Sequence, residues 1–344
     1  MHFLKSINFT SAFILVTLIV VLDFVHGFTE KNVIDSPLLT QKMGTNRTVT
    51  VDPNGQEDFK SVQAAVDHVP NGNSEWIIIH ITKGVYREKV NIPHNKPYIF
   101  MRGDGRGKTS IVWSQSSVHN YDSATFKVEA PHFVVFGISF KNTAPAVITR
   151  KMENNKSVAV FVGADKVAFY QCAFFSNQNT LFDYKGRHYY DNCYIQGSID
   201  FIFGRGQAMF HDCELFVIAN SRDEIRGSIT ANYRQRHSES SGFVFVKGKV
   251  YGTGDVYLGT AKGAHSRVVF ANTYLSRTVI PHGWTNLSYP GSTHNLYHAE
   301  YRCHGPGSGS GNRAHWSKQL TDVDAAPFLS VDFIEGQDWL PAWL

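Results

Sequence analysis

Three cysteines set the period of this chain. Cys172, Cys193 and Cys213 recur after 21 and then 20 residues. Their surroundings match: Phe169-Tyr170-Gln171-Cys172-Ala173-Phe174, Tyr189-Tyr190-Asp191-Asn192-Cys193-Tyr194-Ile195, and Met209-Phe210-His211-Asp212-Cys213-Glu214-Leu215. Each is a short alternating apolar strand with a small polarisable residue at one register. Related strands lie upstream at Val134-Val135-Phe136-Gly137-Ile138-Ser139-Phe140 and downstream at Phe243-Val244-Phe245-Val246 and Val268-Val269-Phe270-Ala271. Self-similarity at a fixed period marks a solenoid. A period near twenty, β-branched and aromatic strands and almost no helical periodicity point to a parallel β-helix. One coil cannot bury its own inner face, so stacking supplies the core. The cysteines would then stack inside, one per coil, as small hydrophobes; a disulfide between successive coils is the competing reading.

The repeat also locates what does not repeat. The extra residues fall at 143–156 and 219–241, and insertions into a solenoid become loops on one face, often the binding face. Phe59 to Val69 carries apolar residues at helical spacing, with Asp58 placed to cap it. That helix would close the open end of the coil stack, otherwise an exposed sheet edge. The glycine-serine stretch at 305–311 reads as a surface loop.

The ends and the charge set outer limits. Lys5, the apolar run over 12–22 and the small residues near Gly27 form a secretory signal over 1–27. The run is shorter than the ~20 residues of a membrane span, so an uncleaved anchor is the lesser alternative. Residues 28–47 are a leader without clear periodicity, and 48–344 form one large domain. Among 344 residues, 33 Lys and Arg against 29 Asp and Glu give a net charge of +4. No basic stripe with interleaved aromatics accompanies it, which argues against nucleic acid and leaves an acidic partner in view. Secretion permits disulfides, but Cys172, Cys193, Cys213 and Cys303 allow three pairings and the sequence does not choose. No cysteine has a histidine at zinc-ligand spacing, so no metal is implied. Sequons at Asn46, Asn155 and Asn286 predict surface positions for glycans.

Asp200 is the residue that chemistry singles out. It lies in Gly197-Ser198-Ile199-Asp200-Phe201-Ile202-Phe203-Gly204, an otherwise apolar run. Burial disfavours a charged carboxylate unless donors or cations compensate, and perturbed carboxylates gather at functional sites. A turn aspartate bonded to local amides is the alternative.

Several ordered motifs resemble the plant pectin methylesterases, which remove methyl esters from cell-wall homogalacturonan. They include Asp58-Phe59-Lys60-Ser61-Val62-Gln63, Gly84-Val85-Tyr86-Arg87-Glu88-Lys89-Val90, Lys185-Gly186-Arg187-His188-Tyr189-Tyr190, Asp200-Phe201-Ile202-Phe203-Gly204 and Gly336-Gln337-Asp338-Trp339-Leu340. The resemblance runs from about Thr48 to the C-terminus and implies a right-handed parallel β-helix. It gives Asp200 the position of a nucleophile that attacks the ester carbonyl, and Gln178 that of an oxyanion donor. Three positions depart from the pattern. The family's Gln-Asp-Thr-Leu, whose aspartate is the acid and base, reads Gln178-Asn179-Thr180-Leu181. Its Gln-Ala-Val-Ala-Leu reads Lys156-Ser157-Val158-Ala159-Val160. Its Leu-Gly-Arg-Pro/Ala-Trp, with a clamp arginine and a stacking tryptophan, reads Leu258-Gly259-Thr260-Ala261-Lys262.

The substitutions have separable consequences. Asn179 cannot shuttle a proton, and loss of such help typically costs on the order of 10²–10⁴ in rate. Thr260 cannot clamp a carboxylate in bidentate fashion. Lys156 and Lys262 bring new positive charge beside Asp200. Phe201 and Trp284 complete the candidate substrate contacts. The resemblance implies no metal or organic cofactor, pectin as ligand, a proteinaceous pectinesterase inhibitor as a protein partner and no stable membrane insertion. Three functions follow as expectations: a secreted, weakened pectin esterase of the cell wall, a non-catalytic pectin binder, and a decoy for such inhibitors. A pectate lyase would need clustered calcium ligands, which are absent from the sequence. A glycosidase would need a carboxylate pair, for which Asp183 and Asp200 are candidates by spacing only, and the resemblance argues against them.

Overall fold

The computed structural model describes residues 34–145, 156–218 and 227–344. Residues 1–33, including the whole signal segment, lie outside it, as do Asn155 and the greater part of the insertion at 143–156. Ser36–Trp343 forms one unit; Met1–Asp35 with Leu344 forms another, of which Ile34, Asp35 and Leu344 are described.

The larger unit is a right-handed parallel β-helix. Its strands fall into three sheets of eleven, eight and eight, and every described pairing within them is parallel. In the middle of the stack, the coil of Cys193 runs Arg187–Asp191 in the first sheet, Tyr194–Gly197 in the second and Ile202–Gly204 in the third. It returns to the first sheet at Gln207–His211. Each coil thus lays one strand on each sheet, and the period read from the cysteines is one circuit.

The cysteines mark the corner between the first and second sheets. The residue before each one adopts a left-handed backbone: Gln171, Asn192 and Asp212, with φ between 49° and 50°. Asn and Asp are enriched in that region because their short polar side chains tolerate it. Even the corner amides bond along the axis, Gln171 N–H to Asp191 O at 2.9 Å and Asn192 N–H to His211 O at 3.0 Å. The thiols of Cys172, Cys193 and Cys213 point inward and are free. Burial pushes the Cys172 and Cys193 thiols well up, which keeps them unreactive.

Beside them runs a ladder of rings, Phe169, Tyr190, Phe210, Phe245 and Phe270. Successive centroids lie 5.3, 4.5, 4.5 and 4.4 Å apart, and no interplanar angle exceeds 12°. Each ring occupies the same register on successive first-sheet strands. Identical inward positions in a stack of equal coils place like beside like, so the core is both dense and in register.

Two helices accompany the N-terminal coils, α1 (Ser36–Met43) and α2 (Val62–His68). The structure shortens the predicted helix and changes its cap. Ser61 Oγ accepts from Ala64 N–H at 3.1 Å, whereas Asp58 accepts from Thr50 N–H at 2.8 Å. Glu88 supplies a second cap, taking the Val62 and Gln63 amides at 2.8 and 3.0 Å, where the helix dipole favours a negative charge. Val62, Ala65, Val66 and Val69 bury against the first coils, closing that end as expected.

The insertion over 219–241 is not all loop. Gly227–Asn232 is a strand of the third sheet, paired with Ile202–Gly204 on one side and Val256–Ala261 on the other. Its β-branched Ile229 and Thr230 carried that signal. Asn46 and Asn286 are exposed, as the sequons require.

His298, near the C-terminal end of the stack, is fully buried between Trp284 and Trp316 and bonds Ser266 Oγ at 2.9 Å. Burial pushes it down to about 3. The unfolded chain regains the ordinary value near 6.5, so below that pH it takes up a proton the folded chain refuses. Stability contributed by the neutral ring therefore falls as pH drops from about 6.5 towards 3, by roughly 3 kcal/mol at pH 4. His188 has the opposite sign. Burial draws it down, but Asp183 outweighs burial and raises it, so its contribution is complete below about 6.5 and lost as pH rises through the raised value. Urea unfolding midpoints between pH 7 and pH 4 should fall less steeply in His298→Leu than in the native protein; equal slopes would refute this account.

Candidate active site

Parallel stacking builds the site from the corners that lead into the third sheet. Leu181 pairs with Ile202 in adjacent strands. That register sets Asn179 and Asp200 at equivalent corners of neighbouring coils, and Asn179 N–H donates to Ile199 O at 3.2 Å. Both residues are left-handed, with φ of 54° and 44°, a corner conformation that Asn and Asp tolerate. The next strand brings Ser228, and the strand after that ends beside Lys262.

Asp200 is held through both oxygens. Ser228 Oγ donates to Oδ1 at 2.5 Å, and Lys262 Nζ lies 3.1 Å from Oδ2. The Asp200 side chain is 19 % exposed and that of Lys262 24 %. The carboxylate thus has the compensating cation and donor that its apolar surroundings demand. It opens onto a cleft of about 250 Å³ lined by Asn120, Lys156, Gln178, Asn179, Ile199, Asp200, Phe203, Ala231, Tyr233 and Lys262. Lys156 reaches this cleft, but its Nζ donates to Val118 O at 2.8 Å rather than to Asp200.

An aromatic shelf continues the cleft. A second hollow of about 210 Å³ shares Asn120, Phe203 and Tyr233 with the first and adds Phe182, Tyr184, Gly204, Arg205 and Gln235. Phe182 and Phe203 stack at 4.5 Å, and Phe161 meets Phe182 edge-on at 5.2 Å. Rings of this kind offer apolar faces to a sugar, while the acid and amides at the other end offer polar contacts. A larger cleft, about 680 Å³, adjoins this hollow through Tyr184 and Arg205 and does not include Asp200. Its Arg187 is paired with Asp165 and Glu335, and its Arg205 with Glu239.

Three sequence expectations change, and one alternative offered by spacing alone is excluded. Phe201 is completely buried in the core, at the corner just before the strand Ile202–Gly204; Phe203, inside that strand, lines the cleft. Trp284 is also completely buried, and its indole N–H donates to Glu300 at 3.1 Å. Neither has surface to offer a substrate. Thr260 is 2 % exposed, outside the cleft lining, and its hydroxyl has no partner. It lies level with Ala231 across the strand pair and does not touch Asp200. Asp183 faces inward: His188 Nδ1 lies 2.8 Å and Tyr190 O–H 2.7 Å from its Oδ2. A Cβ at Gly206 would sit 1.8 Å from the other oxygen, so only glycine fits there. Asp183 therefore cannot serve with Asp200 as a carboxylate pair across a sugar.

Gln178, Asn179, Asp200, Lys156 and Lys262 do come together. Ser228, Asn120 and Tyr233 were missed. Ser228 had only its place in an alternating segment to mark it, and Asn120 and Tyr233 come from parts of the chain remote from every catalytic motif. Among the described residues no cluster of His, Cys, Asp and Glu could hold a metal ion, and no helix is long and apolar enough to cross a membrane.

Comparison with known proteins agrees with this geometry. A pectinesterase family model matches residues 48–337. A protein named probable pectinesterase 67 from Arabidopsis thaliana is 61 % identical over 315 residues, covering 92 % of this chain and 91 % of that protein. The solved pectin methylesterase from carrot superposes with a TM-score of 0.80 at 30 % identity, over 85 % of this chain and 94 % of that one. A pectin methylesterase solved in complex with hexasaccharide VII has a TM-score of 0.74 at 21 % identity over 87 % of this chain and 100 % of that one, a likeness of fold. With the motifs, the coil geometry and these matches in agreement, the chain belongs to the pectinesterase family.

Proposed function

We propose that this protein is a secreted esterase of the plant cell wall, removing methyl groups from the galacturonate esters of homogalacturonan at a reduced rate. The observation that carries this reading is the Asp200 carboxylate, paired with Lys262 at 3.1 Å and open to a cleft that also holds Gln178. In this reaction a carboxylate oxygen of Asp200 bonds to the ester carbonyl carbon, and the bond to the methoxy oxygen breaks. The Gln178 amide stabilises the oxyanion. The departing methoxide needs a proton, and later a water must lose one. Asn179 can do neither, so solvent supplies the exchange at a cost on the order of 10²–10⁴ in rate. The aromatic shelf of Phe182, Tyr184 and Tyr233, backed by the buried Phe203, takes the neighbouring sugars. The signal at 1–27 and the sequons agree with secretion.

A second reading keeps the groove and drops the chemistry. Asn179, with Lys156 and Lys262 in the cleft, suits binding of de-esterified pectate; a decoy for a proteinaceous pectinesterase inhibitor uses the same surface. One preparation separates them. Methanol should appear from methyl-esterified homogalacturonan above the buffer blank and vanish with Asp200→Ala. No methanol, with pectate binding that weakens as salt rises, would replace the esterase by the binder. Capture of an inhibitor protein alone would leave the decoy.

A further inference from the structure

We infer that Lys262 and Ser228 are the positioning residues of Asp200, doing from two coils what an arginine at position 260 would do alone. This rests on Asp200 being the reactive group, as proposed above. The three residues lie on three successive coils of the third-sheet face. An arginine presents a planar fork and can take both carboxylate oxygens; a lysine is a point charge on a flexible stem and satisfies one. The geometry divides accordingly, with Nζ on Oδ2 at 3.1 Å and the Ser228 hydroxyl on Oδ1 at 2.5 Å.

The exchange explains two departures together. Position 260 has become a buried threonine with an unpartnered hydroxyl, and position 262 carries the cation that 260 has lost. Lys262 directly follows the strand Val256–Ala261, two residues beyond 260. Ser228 is 3 % exposed, and its hydroxyl can rotate off Oδ1 when that oxygen reacts. Lys262 also occupies the place where the family pattern has a stacking tryptophan. The device therefore restores charge at the expense of a sugar contact.

The test replaces Lys262 by Met and by Arg, and adds Thr260→Arg to the Met variant. The Lys262 side chain is partly exposed, and circular dichroism checks that each variant folds. Protein labelled with ¹³C at aspartate carboxyls is examined by NMR at about pH 7, and methanol release is followed on the same samples. In Lys262→Met the Asp200 carboxyl resonance should move and broaden as the carboxylate loses its fixed orientation, with kcat falling more than KM changes. Lys262→Arg should keep the native resonance, and Thr260→Arg should recover the Met variant. Ser228→Ala should move the resonance by less. An unmoved resonance in Lys262→Met overturns the inference, whatever the activity. A moved resonance in a protein that releases no methanol upholds the positioning pair and removes the esterase reading.

Discussion

Restoring aspartate at position 179 is expected to raise methanol release by about 10²–10⁴-fold, the usual worth of a positioned acid and base. The backbone is ready for it. Asn179 already holds a left-handed conformation at φ 54°, which Asp tolerates as well as Asn, and its amide is bonded to Ile199 O. The new carboxylate would line the same cleft as Asp200. Two nearby carboxylates do not ionise equally. Lys262 and Ser228 are already engaged by Asp200, so residue 179, with neither partner, is the carboxyl free to hold the proton that the leaving methoxide needs. Thr260→Arg adds little here, because Lys262 already occupies Asp200 Oδ2. The assay is initial methanol release from methyl-esterified homogalacturonan for native protein, Asn179→Asp and Asn179→Asp with Asp200→Ala. A gain that survives loss of Asp200 would show that the new acid works by another route. No gain would place the defect in Lys156 or the cleft walls.

Arg313→Ala should lower stability by about 3–5 kcal/mol, the cost of leaving a buried charge uncompensated. Arg313 holds Glu300 in bidentate fashion, Nε to Oε1 at 2.8 Å and Nη2 to Oε2 at 2.9 Å. Their side chains are 4 % and 1 % exposed. Arg313 also donates to the carbonyls of Pro281 at 3.0 Å and Gly307 at 2.7 Å, tying the loop over 305–311 to the last coils. Glu300 in turn fixes Trp284. Removing the cation alone strands the acid, whereas Arg313→Met with Glu300→Leu removes both charges and should recover most of the loss. Urea unfolding of the two variants decides it. A single variant within 1 kcal/mol of native, or a double variant no better than the single, would refute the account.

The coil period was legible because it is written locally and many times. Cys172, Cys193 and Cys213 each follow a left-handed corner residue, and the rings of Phe169, Tyr190 and Phe210 repeat with them. The third sheet was harder to read. Its strands are short, three residues at Leu181–Asp183 and Ile202–Gly204, so the alternation that tells inside from outside is barely established. That is why the sequence points to Phe201 for the cleft when Phe203 is the residue that lines it, and why spacing alone offers Asp183 beside Asp200. Trp284 was misjudged for another reason. Its burial depends on Glu300 and His298 from the next coil, which no local pattern announces.

The sequence by itself determined the solenoid, its capping helix, the family and the three departures from the family's motifs at Lys156, Asn179 and Thr260. All of these are carried by residues close together along the chain or by a repeat of such groups. Only the tertiary structure decided what surrounds Asp200. Its partners arrive 28 and 62 residues later, on strands whose register is set by the stacking of whole coils. A point charge on a lysine and a hydroxyl from an insertion have no signature along the chain; they become a site only when parallel pairing brings three coils level.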